Sequence, residues 1–139
     1  MNDNKIKHLE LIQEVITRMN QNSFQLKGWM ITIVSALLAL YAGSGNVLYI
    51  WAALVPTVLF WMLDAYYLQQ ERKFRGVYND VAELTPEESR IEIKEFDMPI
   101  QKYQKGKYCY FNVLISRTVA GLYVPVIVGL IIVGACLNM

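Results

Sequence analysis

The sequence predicts an all-α membrane protein with three transmembrane helices, the first two joined in a long antiparallel helical hairpin that extends into the cytoplasm. Three observations lead there. Of 139 residues, 55% are hydrophobic and only 18% are charged, against a charged share of about 25% in ordinary globular domains. No Asp, Glu, Lys or Arg occurs from Gly28 to Leu63, and none from Thr118 to Met139. Before the first of these runs, apolar positions recur at steps of three and four, the period of one helix face. Together these exclude a soluble globular enzyme as the default class. The formal net charge of +1 gives no overall attraction for a polyanion.

Residues 1–84 are assigned to the hairpin. Leu9, Ile12, Ile16, Met19, Ser23 and Leu26 form a heptad-like seam that continues into Met30 and Ile33, with no Pro or Gly before Gly28. One helix from about Lys5 to Ala42 is the simplest reading, its membrane part being residues 28–42. Gly43-Ser44-Gly45-Asn46 breaks it in a tight turn. Residues 47–68 form the second span, with Pro56 as an expected kink. Phe74, Val77, Tyr78 and Val81 keep helical spacing and carry this helix past the membrane. A bilayer core of about 30 Å needs about 20 residues at 1.5 Å each. The second span meets that length and the first approaches it.

Residues 85–117 form a cytoplasmic connector, and 118–139 the third transmembrane helix, which contains Pro125. Within the connector, Thr85-Pro86-Glu87-Glu88 has the form of a helix start. The run from Arg90 to Met98 alternates Ile91 and Ile93 with charges and reads equally as a short strand.

All 13 Lys and Arg lie before the first span or between the second and third. By the positive-inside rule the N-terminus and the connector are cytoplasmic, and the C-terminus is outside. The expected location is a membrane that the chain enters from its cytoplasmic side. No signal peptide is expected, because Asn2 to Glu14 is polar and amphipathic. If the hairpin turns between Ser44 and Gly45, residue i lies level with residue 89 − i. Arg18 then faces Glu71, Glu14 faces Arg75, and Asp64 comes within reach of Lys27.

Candidate functional residues follow from this layout. Asp64 is the only acidic residue within a span. It is either an interfacial carboxylate held by Lys27 or a pore group, since ionisable groups in membranes are paired or face water. Thr32, Ser35, Ala39 and Gly43 share one helical face, a close-packing seam or a hydroxyl-lined conduit. Arg72, Lys73 and Arg75 follow the second span. They either lie on the anionic leaflet or receive the phosphates of a nucleotide. Lys102, Lys105 and Lys107, interleaved with Tyr103 and Tyr108, form a basic-aromatic patch of the kind that binds single strands. There is no phosphate loop, dinucleotide fingerprint or zinc-protease motif. No catalytic residue, metal or cofactor is expected; Cys109 and Cys136 are read as packing residues, and His8, the sole histidine, is given no catalytic or metal role.

The runs Ile16–Trp29, with Asn20-Gln21-Asn22-Ser23-Phe24-Gln25-Leu26-Lys27-Gly28-Trp29, and Phe60–Arg72, with Trp61-Met62-Leu63-Asp64-Ala65-Tyr66-Tyr67, resemble a group of small bacterial membrane proteins. They are similar to the SLATT-type transmembrane effectors of antiphage defence, which include the channel effector of the Hailong system. Such proteins commonly have two spans where this chain has three. The resemblance implies an oligomeric pore in the cytoplasmic membrane, gated by the product of a nucleotidyltransferase encoded nearby, that collapses the potential of an infected cell. It implies no catalytic residue. Through the matched runs it draws Asn22, Ser23, Lys27 and Asp64 in as pore or gating candidates. The expectation is a homo-oligomer, with a tetramer as its order, in a lipid bilayer, opened or closed by a nucleotide or single-stranded oligonucleotide. The alternative is a non-conducting accessory or holin-like protein that assembles through the same hairpin.

Overall fold

The computed structural model describes residues 2–139. It is all-helical, with no strand among the described residues. Helix α1 runs unbroken from Asp3 to Ser44. Asn2 caps it, its side chain accepting the Lys5 N–H at 2.7 Å, which satisfies one of the free donors of the first turn. Gly45 ends it in the left-handed region at φ 69°, its N–H returning to the Tyr41 carbonyl at 2.7 Å. Glycine takes that conformation without a Cβ penalty.

The packed face of α1 is His8, Ile12, Ile16, Ser23, Leu26, Met30 and Val34. It shares the centre of the expected seam and departs at both ends, where His8 replaces Leu9 and Val34 replaces Ile33. A straight helix turns once in 3.6 residues, so a strict heptad drifts off its face. The structure follows the straight helix.

Asn46 accepts the Leu48 N–H at 3.1 Å and starts the short helix α2, Leu48–Ala52. After Ala53, helix α3 runs from Leu54 to Val81. The expected kink at Pro56 thus takes the form of a break a few residues earlier. Pro56 has no N–H for the carbonyl one turn back, and its ring crowds that turn.

The connector forms neither the helix nor the strand that its sequence suggested. Thr85 to Ser89 folds as a turn, the Ser89 N–H reaching the Pro86 carbonyl at 3.0 Å. The Arg90 guanidinium takes the Thr85 carbonyl at 3.0 Å. Ile91 and Ile93 have no neighbouring strand and pack instead on Ile12, Ile16 and Val77. Single 3₁₀ turns at Ile100–Lys102 and Gly106–Tyr108 lead into α4, Tyr110–Leu114, and α5, Arg117–Asn138. Helix α5 continues through Pro125.

Helices α1 and α3 pack side by side, as low numbers on one meet high numbers on the other: Lys27 with Asp64, and Lys5 with Glu83 just past the end of α3. A larger core of Met30, Ile50, Ala65, Val119, Tyr123 and Leu130 joins α1, α2, α3 and α5. Trp51 lies where a Cβ on Gly134 would come within 2.8 Å of its ring. Three helical stretches are long and apolar enough to cross a membrane: Asp3–Ser44, Leu48–Val81 taken across the break at Ala53, and Arg117–Asn138. Their outward faces carry Leu40, Val55, Leu59 and Ile132 exposed, far more apolar surface than a water-soluble monomer tolerates.

Candidate functional site

A polar group sits where the three long helices meet. Ser23 and Lys27, one turn apart on α1, point at Asp64 of α3. Asp64 is wholly buried and Lys27 is 23% exposed. The Ser23 hydroxyl donates to one carboxylate oxygen. Lys27 Nζ stands 2.5 Å from the other and also donates to Ser23 Oγ at 2.8 Å. The hydroxyl of Tyr123, on α5, lies buried beside Asp64 without a geometrically sound hydrogen bond of its own. Isolated in an apolar interior this carboxylate would cost several kcal/mol, on the order of 5, so ammonium and hydroxyl are what keep it there. Asn22, the neighbour on α1, takes no part in these bonds among the described residues. The two runs that carry the family resemblance come together at this point, Ser23 and Lys27 from one and Asp64 from the other.

Thr32 and Ser35 stand apart from this group. Both are exposed, on the face of α1 opposite its packed seam. Thr32 Oγ1 donates to the Gly28 carbonyl at 2.8 Å, so the hydroxyl is satisfied within its own helix and its oxygen is still free to accept.

Of the two other expected ion pairs, neither forms. Glu71 pairs with Arg75 of its own helix at 2.8 Å. Two residues four apart on one helix reach each other at little entropic cost, and Glu14 and Arg18 are left outside any ion pair among the described residues. Arg72 is also engaged, Nη1 donating to the Lys107 carbonyl at 3.0 Å. Of the first basic group only Lys73 has no hydrogen-bond or ion-pair partner among the described residues.

Lys102, Lys105 and Lys107 line one cleft of about 480 Å³ between α3 and the connector, with Asn79, Asp80 and Ser89. Tyr103 and Tyr108 also line this cleft, but the Tyr103 ring is packed in its wall. It is buried, edge-on to Tyr108 at 5.3 Å, and its hydroxyl donates to Asp80. Burial foremost, then Asp80, holds this phenol well above its ordinary value of 10.0. Both rings fill the space over Gly76, where a Cβ would come within 2.6 Å of the Tyr108 hydroxyl. Lys107 Nζ lies 5.3 Å from the Tyr108 ring centre.

His8 has a role that its sequence context did not signal. It is 2% exposed. Its Nδ1 accepts the Phe96 N–H at 3.3 Å, and its Nε2, which therefore carries the proton, donates to the Asp97 carbonyl at 2.7 Å. Phe96 is left-handed, at φ 60°. One imidazole thus pins a strained bend of the connector to the start of α1. Tyr123 and Gly76 were equally invisible beforehand, because each acts through residues distant in the chain. Comparison with protein-family models, curated proteins and solved structures finds no match to this chain.

Proposed function

We propose that this chain is a subunit of a homo-oligomeric, ion-conducting pore of the bacterial cytoplasmic membrane. In this reading α1 and the stretch Leu48–Val81 cross the bilayer as a hairpin whose far ends, with the connector as far as Tyr108, stand in the cytoplasm. The C-terminus is outside. The observation that carries it is the exposed row of Gly28, Thr32, Ser35 and Ala39 on an otherwise apolar span. One protomer cannot enclose water with that face, whereas several around an axis can, and a tetramer is the order we adopt.

The Ser23–Lys27–Asp64 group then serves gating by fixing α1 against α3, not by lining the conduit. The cytoplasmic cleft of Lys102, Lys105 and Lys107 is where a nucleotide or oligonucleotide signal would bear on the pore. That signal, a nearby nucleotidyltransferase as its source, and a role in antiphage defence rest on the resemblance of the two runs that meet at Asp64. No step in this reading is enzymatic. A non-conducting accessory or holin-like subunit is the second reading. It is favoured by the burial of Asp64, which leaves a single protomer with no charged group in its membrane-facing surface.

The test is ion flux from liposomes holding the purified protein, with and without cyclic nucleotides and short oligonucleotides. Flux switched by a nucleotide is the expected outcome. Folded, inserted protein that never conducts would move the assignment to the accessory reading.

A further inference from the structure

Lys105 and Lys107 sit on a turn that is held in place. Gln69 Nε2 donates to the Tyr108 carbonyl at 2.9 Å, Arg72 Nη1 to the Lys107 carbonyl at 3.0 Å, and Asn112 Nδ2 to the Gly106 carbonyl at 2.7 Å. Gly106 is left-handed at φ 64°, a conformation open to glycine. The turn is therefore clamped between α3 and α4. Both lysines are exposed, and neither is in an ion pair among the described residues.

The clamp also sets their height. With Leu68 as the last apolar position of the second span, Gln69 and Arg72 hold the Tyr108 and Lys107 carbonyls from within one helical turn of the span's end, about 6 Å. Headgroups fill the layer extending about 5–7 Å past the hydrocarbon edge. Phe111 of α4 and Ile115, the residue that ends it, are 72% and 70% exposed and stand four positions apart. The Tyr110 hydroxyl donates to the Met62 carbonyl at 2.8 Å, which places α4 level with the last turns of the span.

From this exposed cationic turn at the end of the span, followed at once by an exposed apolar pair, we infer that the turn and α4 form a seat for one anionic phospholipid. Its phosphate lies between Lys105 and Lys107, and an acyl chain runs along Phe111 and Ile115. A soluble phosphate ester offers the same charge but leaves Phe111 and Ile115 uncovered, so the lipid is the resting occupant, which a nucleotide signal entering the cleft would displace from Lys105 and Lys107. The inference rests on the membrane insertion proposed above and not on conduction.

The test uses the full chain in bilayers of phosphatidylcholine with a minority of phosphatidylglycerol, followed by native mass spectrometry of the lipid that stays bound. The wild-type protein is expected to retain phosphatidylglycerol well above its bulk share. Lys105→Gln with Lys107→Gln should lower that enrichment about tenfold or more. Phe111→Ser with Ile115→Ser should lower it too, with far-ultraviolet helicity unchanged. Lys5→Gln with Lys7→Gln, at the far end of α1, should leave it intact. Retention equal to the bulk ratio, or an equal loss in the Lys5/Lys7 control, overturns the seat. So does displacement of the lipid by inorganic triphosphate with an affinity that the Phe111/Ile115 change leaves untouched, because the cleft then serves a soluble ligand alone. Flux in the same bilayers is read separately. Flux without lipid enrichment sinks the seat and spares the pore, whereas enrichment without flux sinks the pore and spares the seat.

Discussion

Lys27 and Asp64 stand 37 positions apart in the chain, yet ammonium and carboxylate approach to 2.5 Å, with Asp64 fully buried. This pair ties α1 to α3 where apolar packing alone would let the two helices slide. Lys27→Met strands a buried charge and should cost about 3–5 kcal/mol of stability. Adding Asp64→Leu should recover part of that loss, because the pair vanishes together with its desolvation cost. Thermal unfolding in detergent, followed by circular dichroism, checks the order of the three proteins. A double variant less stable than Lys27→Met would contradict it.

Gly76 and Gly134 are places where another segment comes too close for a side chain. Alanine at Gly76 meets the Tyr108 hydroxyl at 2.6 Å and the Tyr103 ring at 2.9 Å, and alanine at Gly134 meets the Trp51 ring at 2.8 Å. Each substitution should destabilise by about 1–3 kcal/mol through overpacking. Gly129→Ala has nothing within 4 Å and should be neutral or slightly stabilising. Gly76→Ala should also speed proteolysis in the connector, a readout that Gly134→Ala leaves unchanged.

The His8 ring protects the bend it holds. Amide hydrogen exchange at Phe96 should be slow in the native protein and at least tenfold faster in His8→Ala, which loses about 1.4 kcal/mol or more of local protection. Equal exchange in both would mean that the bend stands without the imidazole.

The Tyr103 phenol has a raised value in the folded chain, from burial first and then from Asp80. The unfolded chain gives up this proton near pH 10, whereas the folded chain keeps it to a higher pH. Docking of the connector should therefore be insensitive to this group up to about pH 9 and weaken as pH climbs past about 10. Tyr103→Phe should loosen the connector at neutral pH, since Asp80 loses its donor, and flatten the alkaline slope. Tyrosine absorbance during alkaline titration, with unfolding followed in parallel, checks both.

The conduit prediction concerns Thr32 and Ser35. Replacing both with valine keeps an apolar helix but removes the hydroxyls, and single-channel current should fall severalfold while the cross-linked oligomer persists. Unchanged current would place the conducting face elsewhere.

The three long apolar helices were legible because uncharged runs mark them directly, and Gly45 marks the turn. Lys27 with Asp64 was legible as well, because an antiparallel register and the reach of one lysine suffice to match two charges. Glu71 was not, since a partner four residues along its own helix outcompetes one on a neighbouring helix. The connector resisted for a different reason. Its shape comes from Arg90 closing on the Thr85 carbonyl, His8 on Phe96, and Tyr103 over Gly76, contacts with no periodicity for a sequence to display. Thr85-Pro86-Glu87-Glu88 had the right residues for a helix start and no amphipathic run behind them to propagate it.

Helix α1 has 42 residues and no interruption, a rod about 63 Å long, roughly twice the thickness of the hydrocarbon layer. The Lys27–Asp64 tie lies a little past its midpoint and acts as a fulcrum. A tilt of about 10° around it would swing the His8 end by about 5 Å, given 1.5 Å of rise per residue. The Thr32 and Ser35 segment on the other arm would move the opposite way by a smaller distance. Force applied to the connector is thereby delivered as leverage on the apolar half of the same helix, with no intervening joint to absorb it.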